Sequence, residues 1–118
     1  MILTTTPYLD GYKIKEVVGL VSAFTIRTRG FGGQIVGGIE SVFGGKITAY
    51  EKEMENARIE VLEKIKKEAK EKGANAIIGI DFETSNISPR SPAIVFSSWG
   101  TAVVLEKNKL FAKQINKL

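Results

Sequence analysis

The 118-residue sequence contains no cysteine and no histidine. Their absence excludes disulfides, thiolate and imidazole metal ligands, and every nucleophile or base that depends on either residue. The N-terminal segment MILTTTPYLDG lacks the basic and apolar regions of a signal peptide. No run approaches the roughly 18 apolar residues that a membrane helix needs. We therefore expect a cytoplasmic, soluble protein that does not insert into membranes.

The net charge of +4 is unevenly distributed along the chain. Positions 49–72 carry seven acidic and seven basic side chains, whereas 106–118 carry four lysines against Glu106. Trp99 is the only tryptophan, so the chain lacks the interleaved basic and aromatic residues of a nucleic-acid platform. We do not expect nucleic acid as a specific partner. We interpret 107–118 as a basic amphipathic C-terminal tail, able to form a short helix, with non-specific contact to RNA or a membrane surface as a minor alternative.

Three stretches have the composition of β-strands, at 12–26, 74–84 and 93–106. In the first, alternation places Tyr12, Ile14, Val18 and Leu20 on one face and Val17, Val21 and Ala23 on the other. The first and last stretches are apolar on both faces, and such strands must be covered on both, which indicates a partner. Between 27 and 47 lie seven of the twelve glycines, and apolar spacing there predicts a short glycine-rich helix over about 32–43.

The charged stretch from 48 to 72 is typical of a long amphipathic helix. Thr48 and Glu51 form a Thr-x-x-Glu capping box that predicts the helix start, and Gly73 is placed to end it. The predicted apolar stripe comprises Tyr50, Met54, Ala57, Val61, Ile65 and Ala69, with Leu62 beside it. The predicted i,i+4 ion pairs are Glu60–Lys64, Glu63–Lys67 and Glu68–Lys72.

Gly44 and Gly45, followed by Lys46, suggest a phosphate-binding turn. A Walker-type loop would need glycine where Glu40 stands and Ser or Thr where Ile47 stands. The dinucleotide fingerprint that begins at Gly30 fails because Ile35 occupies its third glycine position. Acidic residues at 51 and 53 in the first turn of the helix would also repel an anion. We therefore expect no cofactor.

Two weaker sites remain as hypotheses. Tyr50 and Arg58, eight apart near one helix face, could clamp a ligand together with Gly44 and Gly45, or could simply pack at the edge of the core. Two carboxylate pairs could hold a hard cation such as Mg²⁺, although acidic side chains on exposed faces are ordinarily just solvated. These pairs are Glu51 with Glu55 and Asp81 with Glu83.

Four blocks of the sequence resemble the YbjQ-like family of uncharacterised proteins, which is often labelled heavy-metal-binding. The blocks are TTTPYLDG, GGKITAYEKEMENARIEVL, GANAIIGIDFE and GTAV, which span 4–103. The resemblance assigns 1–106 to the family domain. It implies an α+β, dodecin-like subunit, in which a small antiparallel sheet curls around one long helix, and assembly into a pentameric ring. The metal label transfers poorly because the chain has no thiolate or imidazole ligand.

These observations favour a non-enzymatic homo-oligomeric protein that holds a small ligand or partner between subunits or under the glycine-rich segment. The alternative is a carboxylate-based metal site or enzymatic site at a subunit interface. A nucleophile would have to be activated by a lysine or a carboxylate, and no local arrangement indicates one.

Overall fold

The computed structural model describes residues 1–28, 45–90 and 92–109, with only the backbone described for 45–50. The described elements are β1 (Ile2–Leu3), β2 (Tyr12–Thr28), α1 (Gly45–Glu71), β3 (Ala76–Asn86) and β4 (Ala93–Lys107). The chain is therefore of the predicted α+β class. The glycine-rich helix predicted over 32–43 and most of the predicted tail lie outside the described residues.

The four strands form one sheet in the order β1-β3-β4-β2. The sheet is mixed rather than antiparallel as expected, because β1 pairs with β3 in parallel, with Ile2 opposite Ala76. A two-residue strand is too short to produce a recognisable alternation of side chains in the sequence. Ile2 nevertheless packs on a buried apolar cluster, and that burial favours the extended pairing of β1 with β3.

Helix α1 begins one turn earlier than predicted. It includes Gly45, so Thr48 lies inside the helix, and the prediction that Thr48 caps it is wrong. The first turn contains no acidic residue, so the argument that acidic side chains there repel an anion is also wrong. A glycine and a threonine inside a helix each cost under about 1 kcal/mol, so a capping signal alone does not stop the helix extending. Among the described residues, no helix is long and apolar enough to span a membrane.

The end of α1 is as the sequence predicted. Gly73 has a φ of 86°, the left-handed conformation that glycine adopts without strain. The Gly73 amide donates to the Lys70 carbonyl, and the Ala74 amide donates to the Ala69 carbonyl, both at 3.0 Å. These two bonds constitute a Schellman motif, which satisfies carbonyls at the end of the helix and turns the chain towards β3.

Gly79 reverses the faces of β3. With a φ of 62°, it lies between Ile77 and Ile80, which both approach the same point beside Gly100 of β4. Residues three apart in a regular strand point to opposite faces, so the glycine accommodates one extra residue, as in a β-bulge.

Gly19 has a comparable effect in β2, where its φ is 144°. Beyond it, the odd-numbered Val21 and Thr25 are buried, whereas the even-numbered Leu20 is exposed. The predicted faces of β2, which placed Leu20 with Tyr12 on one side and Val17 with Val21 on the other, are therefore wrong for this part of the strand. A strict period of two cannot anticipate the change at Gly19.

The described chain separates into two compact units. The first holds 1–22, 64–81 and 99–109, and its apolar cluster comprises Ala76, Ile78, Val103 and Leu105 with Ile2, Leu9 and Tyr12 against it. The second holds 23–28, 45–63, 82–90 and 92–98, and its cluster comprises Ala57, Val61, Ile94 and Phe96 with Met54 and Phe82 against it. The buried α1 residues include Ala57, Val61, Ile65 and Ala69, which confirms that part of the predicted stripe.

Candidate functional site

The residues suggested as a ligand clamp are only partly described. Gly45 is the first residue of α1, and Gly44 lies outside the described residues. Tyr50 lies on α1 with only its backbone described, and Arg58 lies two turns further along with an exposed side chain. The clamp therefore stays a prediction, with the exposure of Arg58 compatible with ligand contact.

The suggested cation ligands all lie at the protein surface. Glu51 and Glu55 are exposed on α1, and Asp81 and Glu83 are exposed on β3. Within 1–28, 45–90 and 92–109, no group of three or more His, Cys, Asp or Glu side chains is arranged to hold a metal ion. A pair of solvated carboxylates supplies too few ligands for a protein cage around a hard cation.

A polar cluster in the second compact unit joins β2 to α1. The Thr25 hydroxyl donates to Oε2 of Glu60 at 2.9 Å, and Nη2 of Arg27 donates to the same oxygen. Nη1 of Arg27 lies 3.3 Å from Oε1 of Glu53. Thr25 and Arg27 share a face of β2 because they are two apart, and Glu53 and Glu60 share a face of α1 because they are seven apart.

Arg27 is the centre of this cluster and is partly buried. Its side chain is 27% exposed, while its Nε is buried and has no hydrogen-bond partner among the described residues. One guanidinium is thus shared between two carboxylates, and the planar fork of arginine is suited to such bridging. The arrangement ties the end of β2 to α1, and its carboxylates are engaged by Arg27 instead of converging on an open metal position.

Sequence reasoning missed this cluster because its residues are far apart along the chain. Glu60 lies 35 residues from Thr25 and 33 residues from Arg27. The spacing along the helix predicts only a local pair of Glu60 with Lys64. A usable signal was present, since Thr25 and Arg27 alternate with apolar residues on a strand and Glu53 and Glu60 share a heptad spacing on a helix. That signal indicates polar faces but does not indicate that the two faces meet.

Comparison with known proteins places the chain in a family. A family described as "Putative heavy-metal-binding" matches residues 1–106. The chain belongs to the YbjQ-like family. A UPF0145 protein of Dehalococcoides mccartyi is 42% identical over 106 residues, which cover 90% of this chain and 100% of that protein. A UPF0145 protein of Sulfurisphaera tokodaii is 40% identical over 108 residues, covering 92% and 93%.

A solved structure supports the fold of this family member. It is a crystal structure of a protein with unknown function, of the DUF74 family, from Pediococcus pentosaceus. The TM-score is 0.63 at 22% identity, with 90% of this chain and 98% of the other covered. At this identity the likeness establishes the fold alone.

Proposed function

We propose that this YbjQ-like protein is a non-enzymatic homo-oligomer that holds a small ligand or partner between its subunits. The proposal rests on the apolar side chains that β2 presents to solvent. In the first compact unit, Val17 is 64% exposed and Leu20 is 67% exposed. In the second, Ile26 is 50% exposed. Large apolar side chains that recur along one strand favour an interaction surface over a solvated one.

The occupant of this surface is a second copy of the chain. The outward side chains of β2 are exposed, so this surface is accessible to a neighbouring subunit. Symmetric rings bury the same surface of every subunit and leave no copy exposed. The resemblance to the family supports a ring of five.

Native mass spectrometry of the purified protein tests the assembly and the ligand together. The expected result is a closed oligomer of five subunits, with additional mass where a ligand is retained. Leu20→Glu places a charge on the proposed surface, and we expect it to shift the protein towards monomer. A stable wild-type monomer at micromolar concentration would refute the assembly, and ligand binding between subunits with it.

Ile87→Glu is the matched control for this variant. Ile87 is also an exposed large apolar residue, at 58%, but it follows β3 and lies outside β2. The control should retain the wild-type subunit number. If both variants dissociated equally, the effect would be one of charge or folding, and β2 would not be the interface.

The ligand contacts proposed are Arg58 and Tyr50, with the glycines at 44 and 45. Arg58→Ala should remove any retained ligand mass while the subunit number stays the same. An unchanged ligand signal in this variant would exclude Arg58 as a contact. The alternative, a carboxylate site at an interface, predicts instead that the double variant Glu51→Gln and Glu55→Gln changes metal content.

A further inference from the structure

Two side chains of α1 bond to the backbone of β2 in the first compact unit. The Ser22 amide donates to Oε2 of Glu68 at 3.3 Å, and Nζ of Lys72 donates to the Leu20 carbonyl at 3.4 Å. The same Nζ donates to Oε1 of Glu68 at 3.2 Å, which confirms the predicted Glu68–Lys72 pair. The pair and the two backbone groups therefore form one continuous set of hydrogen bonds.

The two backbone groups lie on the same edge of β2. Polar groups of residues two apart in a strand point to the same side, so the Leu20 carbonyl and the Ser22 amide are neighbours there. Each bonds to a helix side chain, which places them on the edge away from β4, the only described neighbour of β2 in the sheet. These are the groups that an added strand would use.

We propose that Glu68 and Lys72 guard this edge and prevent a second copy of the chain from adding a strand at residues 20–22. An exposed strand edge is a template for uncontrolled pairing, and proteins protect such edges with charges or with covering elements. Here one acid and one base supply both the acceptor and the donor that the edge lacks. Strand addition at residues 20–22 is thereby blocked, and in the assembly proposed above, on which this step rests, a second copy packs on the outward side chains of β2 and does not pair with this edge.

The test compares two double variants of equal charge change. The guard variant, Glu68→Ala with Lys72→Ala, lacks both side chains that bond to the edge. The control, Lys70→Ala with Glu71→Ala, loses one base and one acid from exposed positions of the same turn. Amide hydrogen exchange of Ser22 reports on the edge directly. We expect the Ser22 amide to exchange about fivefold faster in the guard variant, because about fivefold corresponds to the loss of one net hydrogen bond. The exchange rate should be unchanged in the control.

A second measurement follows aggregation by thioflavin fluorescence at equal protein concentration. We expect a shorter lag for the guard variant than for the wild type and the control. Unchanged Ser22 exchange in a folded guard variant would overturn the proposal, as would faster exchange with no change in the lag. Circular dichroism establishes that both variants are folded. Lys72→Met alone, which keeps the helix propensity, should show the same direction of change.

Discussion

Gly100 of β4 lies so close to Ile77 of β3 that a Cβ atom at position 100 would be 2.7 Å from Cγ2 of Ile77. Cγ1 of Ile80 and the carbonyl oxygen of Ile78 would be 3.1 and 3.2 Å away. Ile77 is fully buried, so its side chain has no solvent-filled space to move into. The requirement for glycine at this position is therefore steric, and it follows from the bulge at Gly79, which brings Ile77 and Ile80 to the same point.

Gly100→Ala should lower the free energy of unfolding by about 1–3 kcal/mol, because the added methyl group overpacks a closed part of the sheet. Denaturant unfolding at fixed protein concentration measures the change, since assembly would link stability to concentration. In an Ile77→Ala background, Gly100→Ala should destabilise the protein less, because the Cγ2 atom of Ile77 that the new methyl group would clash with is absent. Equal costs in the two backgrounds would show that Ile77 is not the cause.

Arg27→Ala should lower the free energy of unfolding by about 1–2 kcal/mol. The substitution removes charge-assisted bonds to two carboxylates. Their contribution to stability is reduced because both ion pairs are partly exposed to solvent. Arg27→Lys should recover only part of the loss, since an ammonium group cannot bridge both acids as a planar fork does.

Lys13→Ala provides the control for Arg27. Lys13 is also on β2 and its Nζ lies 3.0 Å from Oε1 of Glu106, but the two side chains are 60% and 42% exposed. Lys13→Ala should lower the free energy of unfolding by at most about 0.5 kcal/mol. Similar losses for Lys13→Ala and Arg27→Ala in urea unfolding would contradict a special role for the Arg27 cluster.

Features set by neighbouring residues were predictable from the sequence. Gly73 ends α1 as expected, and Glu68 pairs with Lys72 one turn away. The apolar spacing of Val61 and Ile65 correctly indicated the buried side of the helix. The first two depend on interactions within about one turn of a helix, and the buried side follows from the spacing of apolar residues along the helix, so the local sequence indicates all three.

Features that depend on distant contacts were not predictable. The faces of β2 and β3 change at Gly19 and Gly79, where a positive φ breaks the alternation of side chains. The contact between Arg27 and Glu60 requires the strand and the helix to be placed beside each other first. The start of α1 was mispredicted at Thr48 for a different reason, because a capping signal is worth only about 1 kcal/mol and is easily overridden.

Titration with zinc, copper or cadmium should reveal no site tighter than the micromolar binding of scattered carboxylates. Soft metals select thiolate and imidazole ligands, and the chain has neither cysteine nor histidine. The carboxylates in the described part of the chain form no group of three that could hold a metal ion.

Calorimetry on protein without a polyhistidine tag measures the affinity for each metal, with Mn²⁺ as the control for oxygen ligands. Weak Mn²⁺ binding that is lost in Glu51→Gln with Glu55→Gln would assign the carboxylate pair on α1. One tight, stoichiometric zinc site would contradict the prediction and would restore heavy-metal binding as the function of this chain.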